Sequence, residues 1–519
     1  MPVSTNNKYI RLFRTIGVTG LAFVVNYLIS LILTPYITDR VGTAAYGFVT
    51  MAKNIAQQAT IITMALNSFS ARYIAVAYHQ GDIPQAKIYF SSTYYGDLLL
   101  GIAVFILAGF GIIFLDKIFV IPEALVPDLK LLFLIVFVNF LAVTVFTVHG
   151  TGATVAGRLD ITGIFKLLSY LAEAAVLAIA FRFLDAHVYP VGFGLLAASA
   201  VIILSNIWIC RKYTPELKPE KQYFRFSAVK RLIVDGMWTS FNNLGYMLHS
   251  GLDLVVCNLM IDPVGMGQLS IAKDIDLIFH SLYQLVGQAF QPMFLQSYAN
   301  GDKPRLLKDL KLSMKLSGLL SNLAFAGFFV LGKIYYQLWI PNQDIDLIWR
   351  LTVITILTSV ASGSMNPLYY IYTLTVKMKF PCIVTIVTGV LNVTGMIVLI
   401  RYTDMGVYAV VWTTAVLVAF INFVSNPIYM AHVLEVPKTT FYPGIIRNVV
   451  SCGVLTAVFK GLGMLYMPNS WLTLILCACV YAVAGSVIHL GLVLDRGERA
   501  ELKNAILRRS GKIRPEMEE

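Results

Sequence analysis

Lys53 and Lys273 stand 220 positions apart in a chain of 519 residues, each inside a long apolar run and each followed by polar side chains at helical spacing. At 100° per residue, Lys53, Gln57, Thr60 and Asn67 fall on one stripe of a helix, and Lys273, His280, Gln284 and Gln291 fall on another. A third stripe, about 80° wide, carries Thr239, Asn242, Tyr246, His249 and Asp253. An ammonium on such a face is a point charge suited to a phosphate, while amides, hydroxyls and imidazoles offer hydrogen bonds to polar neutral groups. Facing hydrocarbon these groups are costly, ~2.5–3.5 kcal/mol for one charge at mid-membrane, so they are expected to line a wet cavity or a protein interior.

The residues therefore predict a cationic cavity of Lys53 and Lys273, lined by Gln57, Thr60, Asn67, His249, His280, Gln284 and Gln291. Arg72, at the inner end of its helix, is a third candidate cation with an anchoring role as the plainer reading. Asp253, Glu173 and Asp97 are intramembrane carboxylates and candidates for coupling to an ion, H+ or Na+. Asp253 lies in the outer part of span 7 at a depth similar to that of Lys273, so a structural ion pair between them is the alternative. No Ser/His/Asp grouping or phosphate-cradling Gly-rich loop is present, and the six cysteines have no zinc-ligand spacing. No catalytic residue, metal or organic cofactor is expected, and the chain is not read as an enzyme.

The elements that hold these side chains follow from composition. At 57% hydrophobic and 13% charged residues, the chain is too apolar for a soluble protein, which runs nearer ~45–50% and ~25%. Fourteen apolar runs are long enough to cross ~30 Å of hydrocarbon. They are, as spans 1 to 14, residues 12–37, 45–75, 88–115, 128–149, 160–183, 188–210, 232–257, 265–296, 308–339, 346–373, 380–401, 406–431, 441–465 and 471–494. Lys53 and Lys273 lie about 12–14 Å into spans 2 and 8, close to the midplane. Asn366-Pro367, Asn426-Pro427 and Pro292 are expected to interrupt spans 10, 12 and 8. The N-terminal run is too long for a cleavable signal core and reads as the first span.

Charge orients the spans. Both termini and the even-numbered connections hold 27 of the 40 Lys and Arg, against six in the opposite connections and helix ends. The positive-inside bias puts both termini in the cytoplasm, and the net charge of +12 needs no nucleic-acid partner to explain it.

Residues 78–84, YHQGDIP, and 298–304, YANGDKP, write the same loop twice. At the offset of 220, residues 47–84 and 267–304 share eight identities, Lys53/Lys273 and Gly47/Gly267 among them. About two or three are expected by chance, so a duplicated unit is the better explanation. The expected fold is all-α and polytopic: two parallel six-helix lobes in a V, related by a pseudo-two-fold axis, plus two C-terminal helices. The boundaries are 1–210 for the first lobe, 211–231 for a cytoplasmic linker and 232–431 for the second lobe. Residues 432–494 hold spans 13 and 14, and 495–519 form a cytoplasmic tail.

Together with this architecture, VGTAAYGF at 41–48, ARYIA at 71–75 and GRLDI at 157–161 resemble the polysaccharide (oligosaccharide) flippases of the multidrug/oligosaccharidyl-lipid/polysaccharide (MOP) exporter superfamily. The resemblance implies outward translocation of an undecaprenyl-diphosphate-linked oligosaccharide by alternating access in a bacterial inner membrane. Membrane lipids and a polysaccharide polymerase or export machinery would be its partners. Superfamily relatives that flip lipid II also have fourteen spans, the last two lining a groove for the lipid tail. Matched lysines suit a diphosphate, whose outward movement an inside-negative potential favours by ~4.6 kcal/mol at 100 mV. A multidrug or cation antiporter of the superfamily would typically have twelve spans and an acidic site in its first helix, whereas no charge lies between Arg14 and Asp39. A membrane glycosyl-polymerase would need a sizeable outer loop, and the outer connections here are short.

Overall fold

The computed structural model describes residues 25–495 apart from 157, 184–186 and 376, together with 497–499; the side chains of 159, 160, 282–286, 288 and 289 are not among those described. Among the described residues the chain is helical throughout, with no strand. Among these residues ten helices are long and apolar enough to cross a membrane, and they coincide with spans 3–6 and 9–14. Spans 2, 7 and 8 are helical as well. Their polar stripes lower the mean hydropathy, which is why length and apolarity alone do not mark them. Residues 25–40 are helical, and the N-terminal part of span 1 lies outside the described residues.

The duplication is visible in the backbone. Span 2 is the helix Thr43–His79 and span 8 the helix Pro263–Ala299, 37 residues each, displaced by the same 220 positions. Their loops match bond for bond. Gly81 N–H donates to the Tyr78 carbonyl and Asp82 N–H to that of Ala77, as Gly301 N–H does to Tyr298 and Asp302 N–H to Ser297. Gly81 and Gly301 take φ of 80° and 69°, a left-handed conformation that a Cβ disfavours. Asp82 and Asp302 then cap the next helix by accepting from the N–H of Gln85 and Arg305, both at 3.0 Å. Pro84 and Pro304 sit in the first turn, where a missing donor is harmless.

Pro367 and Pro427 lie at interruptions. Span 10 passes from Ile345–Met365 into a 3-10 segment, Asn366–Tyr369, and span 12 is broken by a π-helix, Ile421–Ser425, just before Asn426-Pro427. Span 8 differs from expectation: its helix runs straight through Pro292. Span 7 differs in the other direction. It runs as Phe226–Tyr246, a π-helix at Met247–Gly251 and a final helix Asp253–Met260.

Packing divides the chain into two compact units, Met1–Ser270 with Thr385–Val407, and Ile271–Val384 with Tyr408–Glu519. In the first unit span 7 lies on spans 2 and 3. A Cβ on Gly236 would come within 1.9 Å of the Ala65 carbonyl oxygen, so only glycine permits this approach. Span 11 joins the same unit, with Gly389 against the Gly245 carbonyl and Leu248. The linker expected at 211–231 is helical again from Phe226. It is also pinned. Buried Ser91 accepts from Glu220 N–H and donates to the Lys218 carbonyl, and buried Ser92 does the same for the N–H and carbonyl of Arg225. The Lys87–Glu220 ion pair, 3.2 Å, closes the strap, and Gln222 and Lys87 together hold the Glu220 carboxyl below its ordinary range.

In the second unit spans 13 and 14 (Tyr442–Leu465 and Trp471–Val493) pack on span 9, Lys303–Trp339. Polar contacts run along the seam. Asn322 donates to the Asn448 carbonyl at 2.8 Å, and buried His489 bridges the Ser451 hydroxyl and the Lys315 carbonyl. Just beyond span 14, Lys315 Nζ meets Asp495 at 3.1 Å and Glu498 at 2.6 Å, and Arg447 holds the other oxygen of Asp495 at 2.8 Å. The last two spans are therefore fastened into the unit.

Candidate functional site

In the first unit Lys53 is the eleventh residue of its helix, about 15 Å from the start. It follows fully buried Ala52 and is itself half-buried. Its charge reaches Glu173, a buried carboxylate of span 5, so an acid and a base from two expected roles lie in one neighbourhood. Gln57 and Arg72 are exposed, and Thr60 is half-buried with its hydroxyl turned back to the Gln57 carbonyl.

Asn67 does something the stripe did not suggest. Its amide donates to Asp97 Oδ1 at 2.8 Å and to the Thr63 carbonyl at 3.1 Å. Asp97 has no exposed surface. Its second oxygen, the Thr93 hydroxyl and the Asn67 carbonyl oxygen are buried without hydrogen-bond partners among the described residues. A carboxyl group enclosed in this way, beside two more unsatisfied oxygens, is a high-cost arrangement of the kind that marks functional sites in membrane proteins.

The π-turn of span 7 frees backbone carbonyls, and side chains from two other helices take them. Gln58 donates to the Gly251 carbonyl at 2.7 Å, and Asn392 of span 11 to the His249 carbonyl at 2.6 Å. His249, within this turn, and Asp253, just after it, are both buried. Gln58, Asn392 and Thr93 carry no marker in the sequence beyond polarity within an apolar run.

In the second unit Lys273 is again the eleventh residue of its helix, after the fully buried Ala272, and is half-buried. His280 is exposed, and the side chain of Gln284 lies outside the described residues. Gln291 lines a cavity of about 250 Å³ with Gly287 of the same helix and Asn366, Tyr369, Tyr370 and Thr373 of span 10. Its far wall is stiffened by two hydrogen bonds: the Tyr369 hydroxyl donates to Asn422 Oδ1 and the Tyr372 hydroxyl to Asn426 Oδ1, the latter at 2.9 Å.

Known proteins agree with this architecture. The family model described as "Polysaccharide biosynthesis protein" matches residues 12–298, more than half of the chain. The chain is 26% identical over 478 residues to the uncharacterized membrane protein EpsK of Bacillus subtilis (strain 168), covering 92% of this chain and 94% of EpsK. Its fold is similar to an inward-facing multidrug resistance MATE family transporter of the MOP superfamily, with a TM-score of 0.61 at 14% identity over 80% of this chain and 99% of that one. It is also similar to the lipid II flippase MurJ in an inward closed conformation, with a TM-score of 0.57 at 14% identity over 90% and 98%. A helical chain with matched polar spans, the transporter fold of the MOP superfamily and a family match across its first 298 residues is a multi-pass membrane protein, and it belongs to the polysaccharide biosynthesis protein family.

Proposed function

We propose that the protein translocates an undecaprenyl-diphosphate-linked oligosaccharide from the cytoplasmic to the outer leaflet of a bacterial inner membrane by alternating access. The observation that carries this reading is the pair Lys53 and Lys273, which occupy the same position of two duplicated 37-residue helices, at membrane depth and half-buried. Two ammonium groups are the complement of a diphosphate and have no use for a neutral or cationic drug. The family match supports a role in polysaccharide biosynthesis, and the positive-inside pattern supports cytoplasmic termini.

Coupling to H+ or Na+ falls to Asp97, with Asp253 and Glu173 as further acids. Asp97 is favoured because one of its oxygens has no partner while Asn67 fixes the other. A second reading, lipid II as the lipid-linked substrate, is favoured by the wider coverage of this chain by the MurJ fold, 90% against 80% for the MATE transporter. A polymerase or export complex would receive the flipped unit.

Purified protein in liposomes should move a fluorescent polyprenyl-diphosphate oligosaccharide across the bilayer. Lys53→Ala with Lys273→Ala should abolish that movement in a folded protein. Unchanged transport by the double variant would refute the cationic site, and efflux of organic cations would move the protein to the drug-exporter branch.

A further inference from the structure

We infer that the cavity between spans 8 and 10 of the second unit is a subsite for one neutral pyranose ring. The inference rests on the proposed reading that the cargo carries a glycan, and it adds where one sugar is held.

The lining is polar yet uncharged: two amides, two phenols and a hydroxyl, with Gly287 and Pro367 completing the wall. An anion would call for Arg or Lys, so a phosphate is not the fitting occupant. The amides of Gln291 and Asn366 and the hydroxyls of Tyr370 and Thr373 make no hydrogen bond to any described residue. Four groups converging on one space without partners among the described residues leave donors and acceptors for a ligand, and each amide supplies both. A pyranose needs such a set, because every ring hydroxyl donates and accepts. Its C–H faces need an apolar flat surface, which the rings of Tyr369 and Tyr370 supply.

Size and construction agree. The volume of about 250 Å³ falls just below the ~300–1,000 Å³ of sites for drug-sized ligands, which suits one ring rather than a chain of sugars. The space exists because residue 287 is glycine: a Cβ there would come within 2.8 Å of Asn366 Oδ1. The opposite wall cannot easily collapse inward, since Tyr369 is tied to Asn422 and Tyr372 to Asn426.

Saturation-transfer NMR tests this on the full chain in phosphatidylglycerol nanodiscs, which avoid sugar-headed detergents. The probes are the methyl glycosides of glucose, galactose and N-acetylglucosamine. At least one should receive saturation from the wild-type protein. The signal should fall about five-fold, the loss of roughly one hydrogen bond, in Gln291→Leu and in Thr373→Val, and stay unchanged in Lys460→Ala, an exposed side chain of span 13. Thr373 is exposed, so its variant keeps the test valid should Gln291→Leu fail to fold. No transfer to any of the three from the wild-type protein, or full transfer in both cavity variants, overturns the subsite. The liposome assay run beside it separates the two ideas. Transport without sugar contact sinks the subsite alone, whereas sugar contact without transport sinks the flippase reading and leaves the subsite standing.

Discussion

Gly47 and Gly267 stand backbone against backbone: a Cβ built on Gly47 would lie 2.9 Å from the Gly267 Cα, and one on Gly267 would lie 2.1 Å from the Thr43 carbonyl oxygen. These are positions that the 220-residue offset equates, so the duplicated helices touch at equivalent residues. Close helix approach in a membrane relies on such small residues. Gly267→Ala should therefore destabilise the protein by about 1–3 kcal/mol through overpacking. Gly47→Ala should cost less, since part of its clash is with the flexible Met266 side chain. Thermal unfolding in detergent should rank wild type above Gly47→Ala above Gly267→Ala.

Asp97→Asn keeps the acceptor that Asn67 needs and removes the exchangeable charge. If Asp97 couples transport to an ion, wild-type flipping in liposomes should accelerate under an imposed proton or sodium gradient and the variant should not respond. Equal acceleration of both would assign coupling elsewhere.

The seam between Lys315 and the segment after span 14 should show a defined pH response. Arg447 first, and Lys315 second, hold the Asp495 carboxyl below its usual range. Its stabilising contribution is therefore complete above the ordinary Asp value, ~3.9, and is lost as pH falls below that value. Lys315→Met leaves Glu498, which is only 17% exposed, without its cation, at a cost of about 1–3 kcal/mol after discounting for the exposed partner. The melting temperature of this variant should lie below wild type between pH 5 and 8, and the gap should narrow below pH ~4. A gap that is the same at both ends of the range would mean that charge pairing does not stabilise the seam.

Removing the two serines that bracket the linker should release it. Ser91→Ala with Ser92→Ala deletes four hydrogen bonds, each worth about 1 kcal/mol net when formed. Limited trypsin digestion at Lys218, Lys221 and Arg225 should speed up at least ten-fold. Equal cleavage rates would mean that the Lys87–Glu220 pair and the buried Leu217 hold the strap unaided.

Spans and the duplication were legible because both are written in long-range pattern: apolar length, and identities repeated at one offset. Even the equal 37-residue helices follow from Gly47, Lys53 and the GD-P loop. Pairings between spans were not legible. Asn67 shares a stripe with Lys53, yet nothing in periodicity says that its amide turns to Asp97 on the next helix. Tyr369, Tyr370 and Thr373 follow a proline and read as ordinary membrane-helix residues, and only the 3-10 turn beside Gly287 turns them toward Gln291. The π-turn of span 7 was hidden for a related reason: what sustains it is Gln58 and Asn392, on spans 2 and 11, rather than a signal within the span.

That π-turn amounts to one surplus residue wound into an α-helix. Deleting Ser250 would let Met247–Gly251 close up as ordinary helix, and because the turn absorbs that one residue, the helix after it would keep its facing while the carbonyls of the turn were drawn into α-helical bonds. Asn392 and Gln58 would be left reaching for carbonyls now spent on the helix itself. A one-codon deletion is thus a closed latch, withdrawing two docking points from spans 2 and 11 while leaving the composition and facing of span 7 nearly untouched.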